Sequence, residues 1–239
     1  MAGHSKWANI KHRKEKADKL KGKMFSRVAK EIISAVKIGG DDPKNNPRLR
    51  LAIQKAKTVN FPNDNIERNI KKAMSPDQAD FVTQNYELYG HGGIGLIVEV
   101  MTDNKNRTAS DLRIATNKRG GTLAEPGAVS YSFDRKGILQ YPKSYDEPKL
   151  FEVAIEAGAE DFEVGEEEYF VTTAPTDLYQ VKESLEAKGF VSTESEIQMI
   201  PQHLIACDKQ TVEANQALID WLEDLDDVSA VYHNMDLSS

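Results

Sequence analysis

Between Gly137 and Ile200 the hydrophobic period runs through a complete set of elements, and this order constrains the fold more than any other feature. GILQY alternates as a strand, PKLFEVAIEAG carries the spacing of a helix, and EDFEV and EEYFVTT alternate again. TDLYQVKESLEAKG is helical and STESEIQMI closes the run as a strand. The order βαββαβ predicts a ferredoxin-like unit, with two helices covering one face of a four-stranded antiparallel sheet.

What flanks this unit is incomplete on either side. FVTQNYELYG and GIGLIVEVM read as paired strands joined at His91-Gly92-Gly93. TDNKNRTASDLRIATNKRGG follows as a polar turn and a helix closed by Gly120-Gly121, and AVSYSF reads as a further strand. Beyond the unit come a helix, VEANQALIDWLEDL, and a strand, SAVYHN. These fragments together predict a second plait of similar content, into which the first is inserted.

The first 78 residues read as helices. Phe25, Val28, Ala29, Ile32 and Val36 form one stripe from Met24 to Lys37, with Lys23, Arg27, Lys30 and Lys37 opposite, and Gly39-Gly40 ends the helix. A second helix takes Asn46 as N-cap and Pro47 in its first turn, burying Leu49, Ala52, Ile53 and Ala56. A third starts near Asn63 or Asp64, with Ile66, Ile70 and Ala73 inward and Arg68, Lys71 and Lys72 outward. SPDQAD (75–80) reads as a linker. The fold class expected is α+β: a three-helix N-terminal bundle followed by two ferredoxin-like plaits, one inserted in the other. The expected divisions are 1–78, 79–134 with 203–239, and 135–202.

Charge divides along the same line. Residues 1–75 hold 19 Lys/Arg against 7 Asp/Glu, whereas the remainder holds 12 against 31, within a chain of net charge -7. That asymmetry suggests a polyanion-binding module on a body that repels polyanions. The candidate contacts are Lys6, Trp7, Lys11, Arg13, Lys14, Lys16, Lys19, Lys21, Lys23, Arg27, Arg48 and Arg50. Trp7 either stacks on an unpaired base or staples the opening stretch to the bundle. Lys105 and Arg107 add a second candidate contact at a helix N-terminus, where Asp103 or Asn104 would serve equally as cap.

Signals for other chemistry are weak. GHGGIG (90–95) lacks the Gly-Lys-Ser/Thr ending of a phosphate loop and leads into a strand, so it reads as a hairpin turn. The five histidines are scattered without metal-ligand spacing, and no metal or other cofactor is expected. Glu166–Glu168 and the EDLDD run at 223–227 read as a turn and a solvated helix end. No serine sits in a nucleophile elbow, and Cys207 has no context marking it as a nucleophile. A non-enzyme without a small-molecule substrate is expected. One cysteine, no long apolar run and no secretion-signal pattern lead to the expectation of a soluble cytoplasmic protein.

MAGHSKWANIKHRK at the start, GGDDPKNNPRLR (39–50), TDNKNRTASDLR (102–113) and VYHN (231–234) resemble the YebC family along essentially the whole chain. The resemblance implies a helical N-terminal domain and two α/β domains, one inserted in the other. It also implies a role as a DNA-binding transcriptional regulator or a ribosome-associated translation factor in the bacterial cytoplasm, and it carries no catalytic set. Physically, a basic arm on a small bundle suits irregular RNA, and an acidic body suits basic ribosomal proteins, which favours ribosomal RNA slightly over DNA. The alternative is a protein–protein adaptor that works through the acidic α/β domains.

Overall fold

The computed structural model describes residues 21–78 and 80–237. Three helices lead: α1 (Lys21–Gly39), α2 (Pro47–Thr58) and α3 (Asn63–Ala73). α1 packs on both of the others. Val28, Ile32, Val36, Leu49, Ala56 and Ile66 fill the space between them, and Phe25 meets Phe61 edge-on at 5.1 Å. Asn46 holds the turn into α2. Its side-chain oxygen accepts the Leu49 N–H at 3.0 Å, and its amide donates to the Ala35 and Gly40 carbonyls at 2.9 and 2.7 Å. One buried side chain therefore caps α2 and ties it to the end of α1.

The chain then builds β1 (Val82–Tyr89), β2 (Gly95–Thr102), α4 (Lys105–Arg119) and β3 (Thr122–Leu123). It leaves this sheet for β4 (Phe133–Pro142), α5 (Glu147–Glu156), β5 (Asp161–Val164), β6 (Glu168–Thr173), α6 (Leu178–Ala187) and β7 (Glu194–Pro201). It returns with α7 (Lys209–Asp224) and β8 (Val228–His233). Two four-stranded sheets result, ordered β3-β1-β2-β8 and β5-β6-β4-β7, and every pairing is antiparallel. The fold is α+β, as expected.

In the β4–β7 unit, Leu139, Tyr141, Tyr169 and Val171 meet Leu150, Ala154, Val181 and Leu185 from the two helices. In the other, Leu96, Val98 and Val100 of β2 and Val231 of β8 pack with Leu112 of α4 and Leu218 and Leu222 of α7. Ile97, Val129, Phe133 and Tyr232 form a smaller apolar cluster where the chain crosses from one sheet to the other. Asn215, fully buried on α7, pins the turn between β1 and β2 by accepting the His91 N–H at 2.8 Å and donating to its carbonyl at 3.0 Å. Gly120 closes α4 with φ 73°, where a Cβ would also lie 2.6 Å from the His91 ring.

AVSYSF is not a strand. Ser130–Ser132 form a single 3-10 turn, β4 starts at Phe133, and the strand beside β1 is the two-residue β3. The cause is Glu87 on β1. Its carboxylate accepts the N–H groups of Gly127, Val129 and Ser130 at 2.8, 2.6 and 2.8 Å, which curls that segment away from extended geometry. Burial pushes the Glu87 pKa up, but these backbone donors outweigh it and leave it below the ordinary value. The loop's support is therefore full above the ordinary glutamate range and is lost as pH falls through the depressed folded value. Glu87→Gln keeps one acceptor and loses the charge. Amide exchange at Val129 and Ser130 is expected to speed up roughly tenfold, read by hydrogen exchange at neutral pH.

Candidate nucleic-acid interface

Lys23, Arg27 and Lys30 of α1 do not face solvent as a free stripe. They recur at helical spacing and meet the C-terminal end of α7. Lys23 donates to the Asp224 carbonyl and sits 3.1 Å from its carboxylate, and Arg27 donates to the Glu223 carbonyl at 2.9 Å. Lys30 donates to the Asp226 carbonyl and to Asp227 Oδ1, both at 2.9 Å, and reaches the Met101 carbonyl at 3.4 Å. The last carbonyls of a helix lack internal partners and carry its negative dipole end, so they are natural acceptors for cations. Burial lowers the Arg27 pKa, against the pull of Glu223, Glu31 and Asp224. In the EDLDD run the Asp224 and Asp226 side chains are solvated, as expected of a helix end, while its backbone carbonyls and the buried Asp227 receive α1.

Asp227 is the centre of this junction. It is 7% exposed, and its Oδ2 accepts from Thr102 Oγ1 at 3.0 Å, Thr108 Oγ1 at 2.9 Å and Arg107 Nη2 at 2.7 Å. Burial alone would push its carboxyl up, but the hydrogen bonds from Arg107, Lys30 and Thr108 hold it down at about 2. Arg107 also pairs with Asp103 at 2.9 Å. Asn104 supplies the cap of α4, accepting the Arg107 N–H at 3.1 Å. Arg107 therefore belongs to the junction, while Lys105 beside it is exposed and has no acidic partner among the described residues.

Arg50 is likewise engaged. It donates to the Pro43 and Lys44 carbonyls at 2.8 and 2.7 Å and lies 4.3 Å above the Tyr179 ring of α6. Lys182, one turn along α6, donates to Gln54 of α2 at 2.5 Å and to Ser195 at 3.1 Å. The helices are thereby held to both sheets, by α1 on α7 and by α2 on α6. Of the sequence candidates, Lys23, Arg27, Arg50 and Arg107 each meet a carboxylate, a carbonyl or a ring that the linear chain keeps far away. Arg48 and Lys105 remain exposed. Lys6, Trp7, Lys11, Arg13, Lys14, Lys16 and Lys19 lie outside the described residues, and Lys21 opens α1.

The structure also leaves a set of cations that the sequence candidates omit. Arg68, Lys71 and Lys72 share the outward side of α3, all exposed, with no acidic partner among the described residues. Lys57, in the last turn of α2, is exposed in the same way. The signal for α3 was visible in the sequence as the face opposite Ile66, Ile70 and Ala73. Among the described residues no group of three His, Cys, Asp or Glu is placed to hold a metal ion, and no helix is long and apolar enough to cross a membrane.

A basic helical head bonded to two acidic antiparallel plaits, one interrupting the other, defines the class of this protein. Residues 5–75 match the family description "TACO1/YebC protein N-terminal domain", and residues 81–235 match "TACO1/YebC second and third domain". The chain belongs to the TACO1/YebC family. It is 64% identical over 236 residues to a probable transcriptional regulatory protein of Protochlamydia amoebophila, covering 98% of this chain and 96% of that one. A probable transcriptional regulatory protein of Chlamydia pneumoniae is 61% identical over 237 residues, covering 98% and 100%. The crystal structure of a conserved hypothetical protein from Aquifex aeolicus superposes with a TM-score of 0.82 at 43% identity, over 91% of this chain and 90% of that one.

Proposed function

We propose that this chain is a non-enzymatic, cytoplasmic regulator of gene expression that binds nucleic acid through its helical domain. The observation that carries the reading is the outward side of α3, where Arg68, Lys71 and Lys72 stand exposed; in the sequence, Lys6–Lys23 adds eight Lys/Arg among eighteen residues, of which Lys23 is tied to α7. Such cations neutralise phosphates and release counterions while reading little sequence. The proposed contacts are Lys6, Trp7, Lys11, Arg13, Lys14, Lys16, Lys19 and Lys21 with Arg48, Lys105, Arg68, Lys71 and Lys72. The two plaits carry most of the negative charge and keep phosphate to this side.

The names of the chlamydial relatives support a regulator of transcription. Ribosomal RNA is the target favoured on physical grounds, since a basic segment on a small bundle suits irregular RNA, and basic ribosomal proteins would complement the acidic body. Replacing Arg68, Lys71 and Lys72 together by Ala is expected to lower affinity for RNA and DNA oligonucleotides alike. The slope of log affinity against log salt should fall by about one for each phosphate that is no longer neutralised. Unchanged affinity and slope would remove α3 from the interface. Crosslinking in cells followed by sequencing then separates the targets: ribosomal RNA supports the favoured reading, and promoter DNA overturns it in favour of transcription.

A further inference from the structure

One surface outside that interface has a defined chemistry. α5 turns Leu150 and Ala154 into the core, while Phe151 and Ile155, one turn apart, stand 49% and 46% exposed. Val164 on the neighbouring strand β5 is 45% exposed, and the Phe151 ring meets Phe162 of β5 edge-on at 5.4 Å. The three exposed side chains thus flank the line where α5 covers the edge of its sheet. Between Leu150 and Val181 the chain has nine Asp/Glu and no Lys or Arg. Glu152 and Glu156 form the next row on α5, and Glu166 lies in the turn after β5, all exposed. The C-terminal end of α5 adds its partial negative charge beside Glu156.

We infer that this flank docks a cationic amphipathic segment of another protein, one in which large apolar side chains alternate with Lys or Arg. Apolar contacts would seat between Phe151, Ile155 and Val164, and the acidic row would set orientation and speed encounter. The charge excludes a nucleic acid or an anionic membrane as occupant. Strand addition to β5 is disfavoured too, because the Asp161 carboxylate accepts the Phe162 N–H at 2.9 Å and guards that edge. A helix or irregular segment lying along α5 is the mode that fits. This surface is independent of the nucleic-acid reading.

The test titrates the full chain with a designed helical Leu/Lys peptide and, separately, with an all-Lys peptide of equal charge. The Leu/Lys peptide is expected to saturate one site, to shift the backbone amides of α5 and β5, and to bind at least about tenfold tighter than the all-Lys peptide. Ile155→Ser and Val164→Ser should each weaken it several-fold with the fold intact by circular dichroism, and affinity for RNA should stay unchanged in both. Equal binding of the two peptides, full affinity in both variants, or amide shifts elsewhere would overturn the inference. So would concentration-dependent self-association that Ile155→Ser abolishes, which would assign the surface to a second copy of this chain.

Discussion

Replacing Asp227 by Asn is expected to lower the unfolding free energy by about 3–5 kcal/mol, the usual consequence of removing one partner of a buried ion pair. Lys30, with its side chain 16% exposed, loses the carboxylate 2.9 Å away, while Thr102 and Thr108 lose a charged acceptor. Arg107 is 48% exposed and Asp103 remains beside it, so its share of the loss is screened and small. The damage should concentrate where α1 meets α7. Limited proteolysis within 74–80 is therefore expected to quicken in the variant, alongside a lower midpoint in urea. An unaltered midpoint would mean that the backbone carbonyls of α7 hold α1 without this carboxylate.

The acid limb follows from the same residue. The folded Asp227 carboxyl titrates at about 2, below the roughly 3.9 of an unfolded aspartate, so the unfolded chain takes up the proton first. Its stabilising contribution is complete above the unfolded value and disappears as pH falls through about 2. The gap between the wild-type chain and the Asn variant should thus be constant near neutrality and narrow between about pH 4 and 2.

The second large effect is expected at Asn46. Asn46→Ala removes the cap of α2 and leaves the Ala35 carbonyl, the Gly40 carbonyl and the Leu49 N–H without that partner in a site only 3% exposed. A loss of about 2–4 kcal/mol is expected, above the usual range for a cap because three hydrogen bonds depend on one side chain. Asn46→Asp keeps the acceptor and loses the two amide donations, so it should recover only part of the loss. Thermal unfolding of the three proteins gives the order. If the Asp variant is as stable as the wild-type chain, the ties to Ala35 and Gly40 contribute nothing.

Much of the architecture could be read before any coordinates. The Asn46 cap, the helix after Pro62, the glycine closure of α4 and the βαββαβ run all rest on neighbours within a few residues. AVSYSF failed because its strand-like composition competes with three hydrogen bonds to Glu87, some forty residues earlier. The site was less legible than the fold. Outward-facing lysines on an amphipathic helix look alike in sequence whether they meet phosphate, water or another part of the chain. Lys23, Arg27 and Lys30 meet α7 about two hundred residues away, whereas Arg68, Lys71 and Lys72 meet no acid among the described residues.

By itself, then, the sequence determined the helices, most strands, the inserted plait and the separation of positive from negative charge, because periodicity, caps and composition act over short stretches. Only the tertiary structure decided which cations are bonded within the chain and which stay exposed. That decision depends on the end of α7 arriving against α1 and on Asp227 between them, a long-range meeting in which hydrogen bonds from Arg107, Lys30 and Thr108 outweigh the cost of taking the carboxylate out of water.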